Sequence, residues 1–233
     1  ITYHEQKQAD ITLVCHNEKI GNASNYTVVC TDESARITDI ETNQAGLGSS
    51  KYYSNIMVMN RTFLLNIIND AVVHGYKSFS EDILRKNIKS LKLYAYDFAG
   101  YHATIDSLSS YFTHNMELLD KNVRDELFGN RDIYTKVRDS APSKYGDGSE
   151  IKNSLISDGC VVEGTVENSI LFRGVKVGKG SVIKNSIVMQ DTVIGENVQL
   201  NCVITDKNVV IRDRRNLSGC ELQPYFLAKG TMI

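Results

Sequence analysis

The 233-residue sequence contains no tryptophan, only two prolines and no long run of apolar residues. A helix that crosses a bilayer needs about 20 consecutive apolar residues, and no segment here approaches that length. The first residues also lack the pattern of a signal peptide. We therefore expect a protein of the cytoplasm, and we expect no membrane among its partners.

Charge of one sign is not concentrated anywhere in the sequence. Its 26 basic and 28 acidic residues are interleaved and give a formal net charge of -2, which does not favour a nucleic-acid partner. The five cysteines are widely spaced and form no CxxC pair. This spacing favours reduced thiols over a disulfide framework or a zinc site.

Residues 1–120 alternate strand-like and helix-like segments, a pattern typical of an α/β domain. Strands are predicted at 11–15, 26–30, 36–40 and 91–96. Helices are predicted at 63–72, after a capping Ser80, and at 107–119, where Asp106 and Ser107 form the cap. The chain begins at Ile1, in residues that resemble the end of a helix, so we expect it to be a fragment.

The next segment, 121–150, is polar and glycine-containing and is predicted to be a linker. From 151 to 233, aliphatic pairs recur mostly every five or six residues, and Asn-Ser-aliphatic triplets recur at 153–155, 168–170 and 185–187. Short strands turned by glycine or asparagine predict a β-solenoid, with Ile170, Ile187 and Ile204 stacked in successive coils. A β-sandwich, with turns about 8–12 residues apart, is the alternative.

Several motifs resemble those of one family. Residues 177–182 (VGKGSV) and 194–198 (IGENV) resemble the hexapeptide repeat of left-handed β-helices, found in acyltransferases and in sugar-nucleotide pyrophosphorylases. Similarity to the glucose-1-phosphate adenylyltransferases (ADP-glucose pyrophosphorylases) is carried by residues 75–84, 100–108, 132–135, 141–145 and 186–197. The resemblance covers essentially the whole chain. It implies part of a Rossmann-like nucleotidyltransferase α/β domain, followed by a left-handed parallel β-helix.

This family joins ATP and glucose-1-phosphate into ADP-glucose and pyrophosphate with Mg²⁺, for glycogen synthesis. The resemblance places Glu41 and Thr42 in the sugar-phosphate motif, where Thr42 replaces a lysine, and Asn55 where the family has a glycine. Thr104 stands where the family has a magnesium-binding aspartate. The family's glycine-rich phosphate loop has no match in this sequence. A degenerate pocket with no catalytic residue and no bound metal is therefore expected.

These replacements resemble those of the auxiliary subunit that accompanies a catalytic adenylyltransferase subunit in some bacteria. The resemblance implies a homo- or hetero-oligomer and allows for a small-molecule effector. Two alternatives remain, namely a competent sugar-phosphate nucleotidyltransferase of related specificity and a hexapeptide-repeat acyltransferase. Such acyltransferases carry a catalytic histidine on the β-helix, whereas the last histidine here is His114. His102 is interpreted as a surface or packing residue rather than a general base.

Overall fold

The computed structural model describes residues 1–19, 27–42, 49–129, 133–136 and 138–233, except for the side chains of residues 18, 19, 42, 49 and 50. They form two compact units, Ile1–Gly100 and Tyr101–Ile233. No helix in these ranges is both long enough and apolar enough to span a bilayer.

The first unit is a five-stranded mixed sheet with helices. Its elements are α1 (Thr2–Lys7), β1 (Ile11–Lys19), β2 (Thr27–Thr31), β3 (Ile37–Thr42), β4 (Ser49–Met59), α2 (Arg61–His74), a π-helix (Phe79–Arg85) and β5 (Leu93–Asp97). The strand order is β3-β2-β4-β1-β5, in which β1 and β5 run parallel and the other pairs antiparallel. Ile11, Leu13, Ile40, Leu84 and Leu93 are among the fully buried core residues.

The predicted strands and helices of this unit are present, with three differences. The capping serine before the π-helix is Ser78 rather than Ser80, because the Ser78 hydroxyl accepts the N–H of Glu81 at 3.2 Å. The last strand begins at Leu93 rather than Leu91. Strand β4 has no predicted counterpart, since its alternation is interrupted around Asn55.

The second unit begins with two helices, α3 (Leu108–Glu117) and α4 (Lys121–Phe128), followed by β6 (Lys144–Tyr145). Ser107 caps α3 as predicted, accepting the N–H of Ser110 at 3.1 Å. The sequence predicts a first domain over residues 1–120, which would include α3, and a linker over 121–150. The structure divides at Gly100 instead, and α4 and β6 lie within the segment predicted as linker.

The remaining strands are β7 (Glu150–Lys152), β8 (Leu155–Ile156), β9 (Val161–Val162), β10 (Thr165–Glu167), β11 (Ile170–Leu171), β12 (Lys176–Val177), β13 (Val182–Lys184), β14 (Ile187–Val188), β15 (Val193–Ile194), β16 (Gln199–Asn201), β17 (Val203–Thr205), β18 (Val210–Ile211), β19 (Asn216–Ser218) and β20 (Tyr225–Leu227). They form three parallel faces of five strands: a first face (β6, β9, β12, β15, β18), a second (β7, β10, β13, β16, β19) and a third (β8, β11, β14, β17, β20). The predicted fold class, an α/β domain followed by a left-handed parallel β-helix, is confirmed.

The Asn-Ser-aliphatic triplets form one corner of this β-helix. Asn168 and Asn185 adopt positive φ values of 47° and 46°, a left-handed conformation that asparagine tolerates. Inside the corner, the buried Ser169 hydroxyl accepts the N–H of Ser186 at 3.1 Å. The Ser186 hydroxyl accepts the N–H of Val203 at 3.1 Å in the same way. Each triplet thus supplies a turn, a hydrogen bond to the next coil and a stacked aliphatic residue.

The predicted isoleucine stack is confirmed, since Ile170 pairs with Ile187 and Ile187 with Ile204. The stacked Ile187 and Ile204 do not lie in the inner core of the β-helix. The inner core of the β-helix is formed by alternate residues such as Leu171. Ile187 and Ile204 instead pack in a separate cluster with Phe112 of α3. This packing explains why α3 belongs to the second unit.

We predict that Ile187→Ala lowers the free energy of unfolding by about 2–5 kcal/mol, because it removes a fully buried aliphatic side chain and leaves a cavity beneath α3. Chemical denaturation measures the loss. Val193→Ala is the control, since Val193 is also on a β-helix strand but is 38% exposed. An equal loss in the two variants would contradict the placement of Ile187.

A second prediction concerns the glycines of the hexapeptide motifs. A Cβ at Gly178 would lie 2.5 Å from the carbonyl oxygen of Gly195 in the next coil, where only backbone could move. Gly178→Ala should therefore destabilise more than Gly230→Ala. Gly230 has a positive φ of 72° but nothing within 4 Å of the added carbon, so its loss should be about 1–2 kcal/mol. The reverse order in thermal unfolding would show that the coils are not stacked this tightly.

Candidate functional site

Strand β3, at one edge of the sheet, ends with Glu41 and Thr42, which the family resemblance places in the sugar-phosphate motif. Glu41 is half-buried and pairs with Val28 of β2, which in turn pairs with Tyr52 of β4. The side chain of Thr42 and the following residue of the motif, Asn43, lie outside the described part of the chain. The role of both positions stays a prediction.

Asn55 lies in a bulge of β4. Leu13 of β1 pairs with Met57, and Cys15 pairs with Tyr53, so three residues of β4 oppose Val14 alone. At the centre of this bulge, Asn55 is exposed and has a φ of 56°. Glycine and asparagine are the residues that most readily take this conformation. Asn55 therefore has a backbone conformation that a glycine could also adopt, with an amide side chain added to it.

An ion pair that no sequence motif indicates joins β4 to the carboxyl end of β5. The ammonium group of Lys51 lies 2.8 and 2.9 Å from the two carboxylate oxygens of Asp97. Lys51 is largely buried and Asp97 is half-exposed. No local sequence signal connects two residues so far apart in the chain. Because this cation already has a carboxylate partner, it is poorly placed to bind a phosphate.

Two side chains towards the end of β1, Cys15 and His16, are buried. Burial raises the pKa of the Cys15 thiol to about 12, although the nearby Lys51 acts against the shift. Cys15 is therefore a protonated core residue rather than a nucleophile. His16 is also buried, and its Nδ1 lies 3.0 Å from the hydroxyl of Ser54 in the β4 bulge.

Thr104 lies in the second unit, in the segment 101–106 that precedes α3. Three hydrogen-bond contacts, two of them made by Tyr101, hold the start of this segment. Its hydroxyl donates to Glu117 of α3 at 2.5 Å, and its N–H donates to Glu126 of α4 at 2.5 Å. His114 Nδ1 lies 2.9 Å from the same Glu117 oxygen. We call Tyr101, His114 and Glu117 the tyrosine clamp.

The family resemblance aligns Thr104 with a magnesium-binding aspartate, and the donors at this position can be compared with what Mg²⁺ requires. Mg²⁺ prefers carboxylate oxygens in octahedral geometry, whereas Thr104 offers a single neutral hydroxyl. Within the described ranges, no group of three or more His, Cys, Asp or Glu side chains could hold a metal. The residues present do not fit the ion. Glu41 and Asn55 belong to the first unit and Thr104 to the second.

Comparisons with known proteins identify relatives of this chain. The family model for the GlmU-like C-terminal hexapeptide domain matches residues 140–221. The glycogen biosynthesis protein GlgD of Bacillus subtilis (strain 168) is 45% identical over 176 residues, which cover 75% of this chain and 51% of that protein. GlgD of Geobacillus stearothermophilus is 39% identical over 233 residues, which cover 98% of this chain and 68% of that protein. The chain belongs to the GlgD and glucose-1-phosphate adenylyltransferase family.

Enzymes of this family also match, at lower identity than GlgD of B. subtilis. The glucose-1-phosphate adenylyltransferase of Thermosipho africanus (strain TCF52B) is 33% identical over 185 residues, which cover 77% of this chain and 44% of that protein. The chain spans about half the length of most of these curated relatives. Family membership, including the likeness to GlgD, confirms the resemblance inferred from the motifs.

The tyrosine clamp leads to a prediction about pH. Burial tends to raise the pKa of Glu117, but hydrogen bonds from Tyr101 and His114 outweigh it and hold the pKa below its usual value. A carboxyl with a lowered folded-state pKa stabilises the fold above its unfolded pKa, and this contribution disappears as the pH falls through the lowered value. Glu117→Gln should therefore flatten the decline of thermal stability as the pH falls below about 5, close to the usual glutamate pKa of about 4.3.

The control for this experiment is Glu150→Gln, at an exposed position on the β-helix. Its pH profile should stay close to that of the unmodified chain. If Glu117→Gln and Glu150→Gln have the same profile, the clamp does not contribute to stability in the way proposed.

Proposed function

We propose that this chain is part of an auxiliary subunit in glycogen synthesis, which assembles with a catalytic glucose-1-phosphate adenylyltransferase and adjusts its activity. The observation that carries the proposal is a folded sheet and β-helix whose candidate site residues are unsuited to binding phosphate and metal. The β4 bulge at Asn55 keeps its left-handed backbone, while Thr104 takes the place of a metal-binding carboxylate. The likeness to two GlgD proteins supports the same conclusion.

The chemistry of the family explains why these replacements matter. The phosphate of glucose-1-phosphate attacks the α-phosphorus of ATP, and pyrophosphate leaves in line. Most of the catalysis comes from positioning and from positive charge near the phosphates. Thr42 cannot supply the charge of the lysine it replaces. Lys51 does not compensate, because its ammonium group is held by Asp97.

Assembly is the second part of the proposal. We propose a homo- or hetero-oligomer in which residues 151–211 contribute to association, since the end coils of a β-helix expose strand edges and core residues. Tyr145 and Ile151 pair with the core residues Val162 and Val166 of the next coil yet remain substantially exposed. A small-molecule effector would act on such an assembly, and the cytoplasm is the compartment expected for it.

We predict that the chain releases no pyrophosphate from ATP, Mg²⁺ and glucose-1-phosphate by itself, and that Thr104→Asp does not restore activity. Each missing contributor costs a few kcal/mol of transition-state stabilisation, at about 1.4 kcal/mol per tenfold in rate, so restoring one leaves the others absent. Thr104→Ser, which keeps the hydroxyl, is the matched control.

The same assay with a catalytic adenylyltransferase of the same organism tests the auxiliary role. Added chain should co-elute with the enzyme and change its maximal rate or its response to effectors. Because a partial chain could be inactive simply for lack of a phosphate loop, the full-length protein is assayed in parallel. Robust turnover by the full-length protein alone would overturn the auxiliary role in favour of a competent transferase.

A further inference from the structure

Two cysteines come together at one corner of the β-helix. Cys202 is the single residue between β16 and β17, and its carbonyl oxygen accepts the N–H of Tyr225 at 3.0 Å. In the next coil, the N–H of Gly219 donates to Asn201 at 2.9 Å, which stacks residue 219 on Cys202. Cys220 directly follows Gly219. Residues that are 18 apart in the sequence are therefore neighbours in space.

The backbone of Cys202 is unusual for its residue type. The corresponding corner is occupied by Asn153, Asn168 and Asn185 in the preceding coils and by Gly219 in the next. Cys202 has the same left-handed conformation as the three asparagines, with a φ of 52°, although cysteine does not favour it as asparagine does. Residues held in disfavoured backbone conformations cluster at functional sites.

The spacing of the coils suits a disulfide. Neighbouring strands lie about 4.8 Å apart and consecutive Cα atoms about 3.8 Å apart, which separates the Cα atoms of Cys202 and Cys220 by roughly 6 Å. Disulfides join Cα atoms that are about 4.4–6.8 Å apart. Burial raises the pKa of Cys202, and the nearby Glu221 and Cys220 add to this shift, in agreement with a short separation. Both thiols are free in the structure.

We propose that Cys202 and Cys220 form a reversible dithiol–disulfide pair, oxidised by low-molecular-weight disulfides such as oxidised glutathione. The exposed Cys220 is the attacking thiol. As a thiolate it displaces one glutathione and forms a mixed disulfide. Cys202, after losing its proton, then attacks the sulfur of Cys220 and displaces the second glutathione. The two protein thiols lose two electrons and two protons, which convert one oxidised glutathione into two reduced molecules.

The disulfide would change the packing of α3, because both cysteines belong to regions that contact this helix. In the reduced chain the Cys202 side chain lies in the apolar cluster that includes Phe112. The loop that carries Cys220 accepts a hydrogen bond from the Ser109 hydroxyl to the carbonyl oxygen of Glu221, at 3.3 Å. Drawing the sulfur of Cys202 towards Cys220 removes it from the cluster under α3. Amide hydrogen exchange in α3 should then become faster.

The test is to treat the chain with excess oxidised glutathione, alkylate the remaining thiols and identify tryptic peptides by mass. The expected product is peptide 185–207 joined to peptide 216–229, and it should disappear on reduction. Cys30, which is exposed in the first unit, is the internal control and should carry glutathione alone. A stable glutathione adduct on Cys220 beside an alkylated Cys202 would overturn the proposal. So would glutathione on Cys30 with both Cys202 and Cys220 alkylated.

Two variants make the test specific. Cys202→Asn restores the residue found at this corner in the preceding coils, so it should fold and should leave Cys220 as a stable glutathione adduct. Cys220→Ser should leave Cys202 reduced and available to alkylation after unfolding. If Cys202 is still oxidised in Cys220→Ser, its partner is a different thiol and the pair is wrong. Unchanged amide hydrogen exchange of α3 in the oxidised chain would contradict the proposed effect of the disulfide on this helix.

Discussion

The β-helix depends on returning the chain to the same register at the end of every coil. Its strands are two or three residues long, too short to be stable alone, so their stability comes from stacking. Seventeen residues separate Ile170 from Ile187 and Ile187 from Ile204. A slip of one residue would turn every inward side chain outwards. The corners set this register, through left-handed residues such as Asn185 and buried serines such as Ser186.

One coil departs from this period and shows how strict the constraint is. Only fifteen residues separate Leu155 from Ile170, yet the two still pair in register. The shortening is absorbed at the turn between β9 and β10, where Glu163 and Gly164 connect the strands directly. A side chain at Gly164 would collide with the carbonyl oxygen of Ser181 in the next coil. This coil can therefore be shorter and still stack in register, because glycine occupies its most crowded position, residue 164.

What could be predicted from the sequence follows from the same physics. The corner residues were recognisable, since the need for positive φ restricts their identity to a few types. The direction of the isoleucines was not, because a two-residue strand contains both an inward and an outward residue and both are apolar here. The outward Ile187 is buried only because α3 covers it. No local pattern in the sequence indicates that contact, so a division of the chain at residue 120 separates α3 from the β-helix that it packs against.

The candidate site divides in a similar way. Glu41, Thr42, Asn55 and Thr104 could be chosen only through family motifs, whereas the Lys51–Asp97 pair and the tyrosine clamp required the folded chain. None of the chosen positions contributes a fully buried side chain among those described. Their chemistry can therefore change at little cost to stability, provided that the new residue accepts the local backbone conformation, as Asn55 accepts a φ of 56°. An auxiliary subunit can arise in this way, because the side chains that act on substrate and the residues that build the scaffold are different residues.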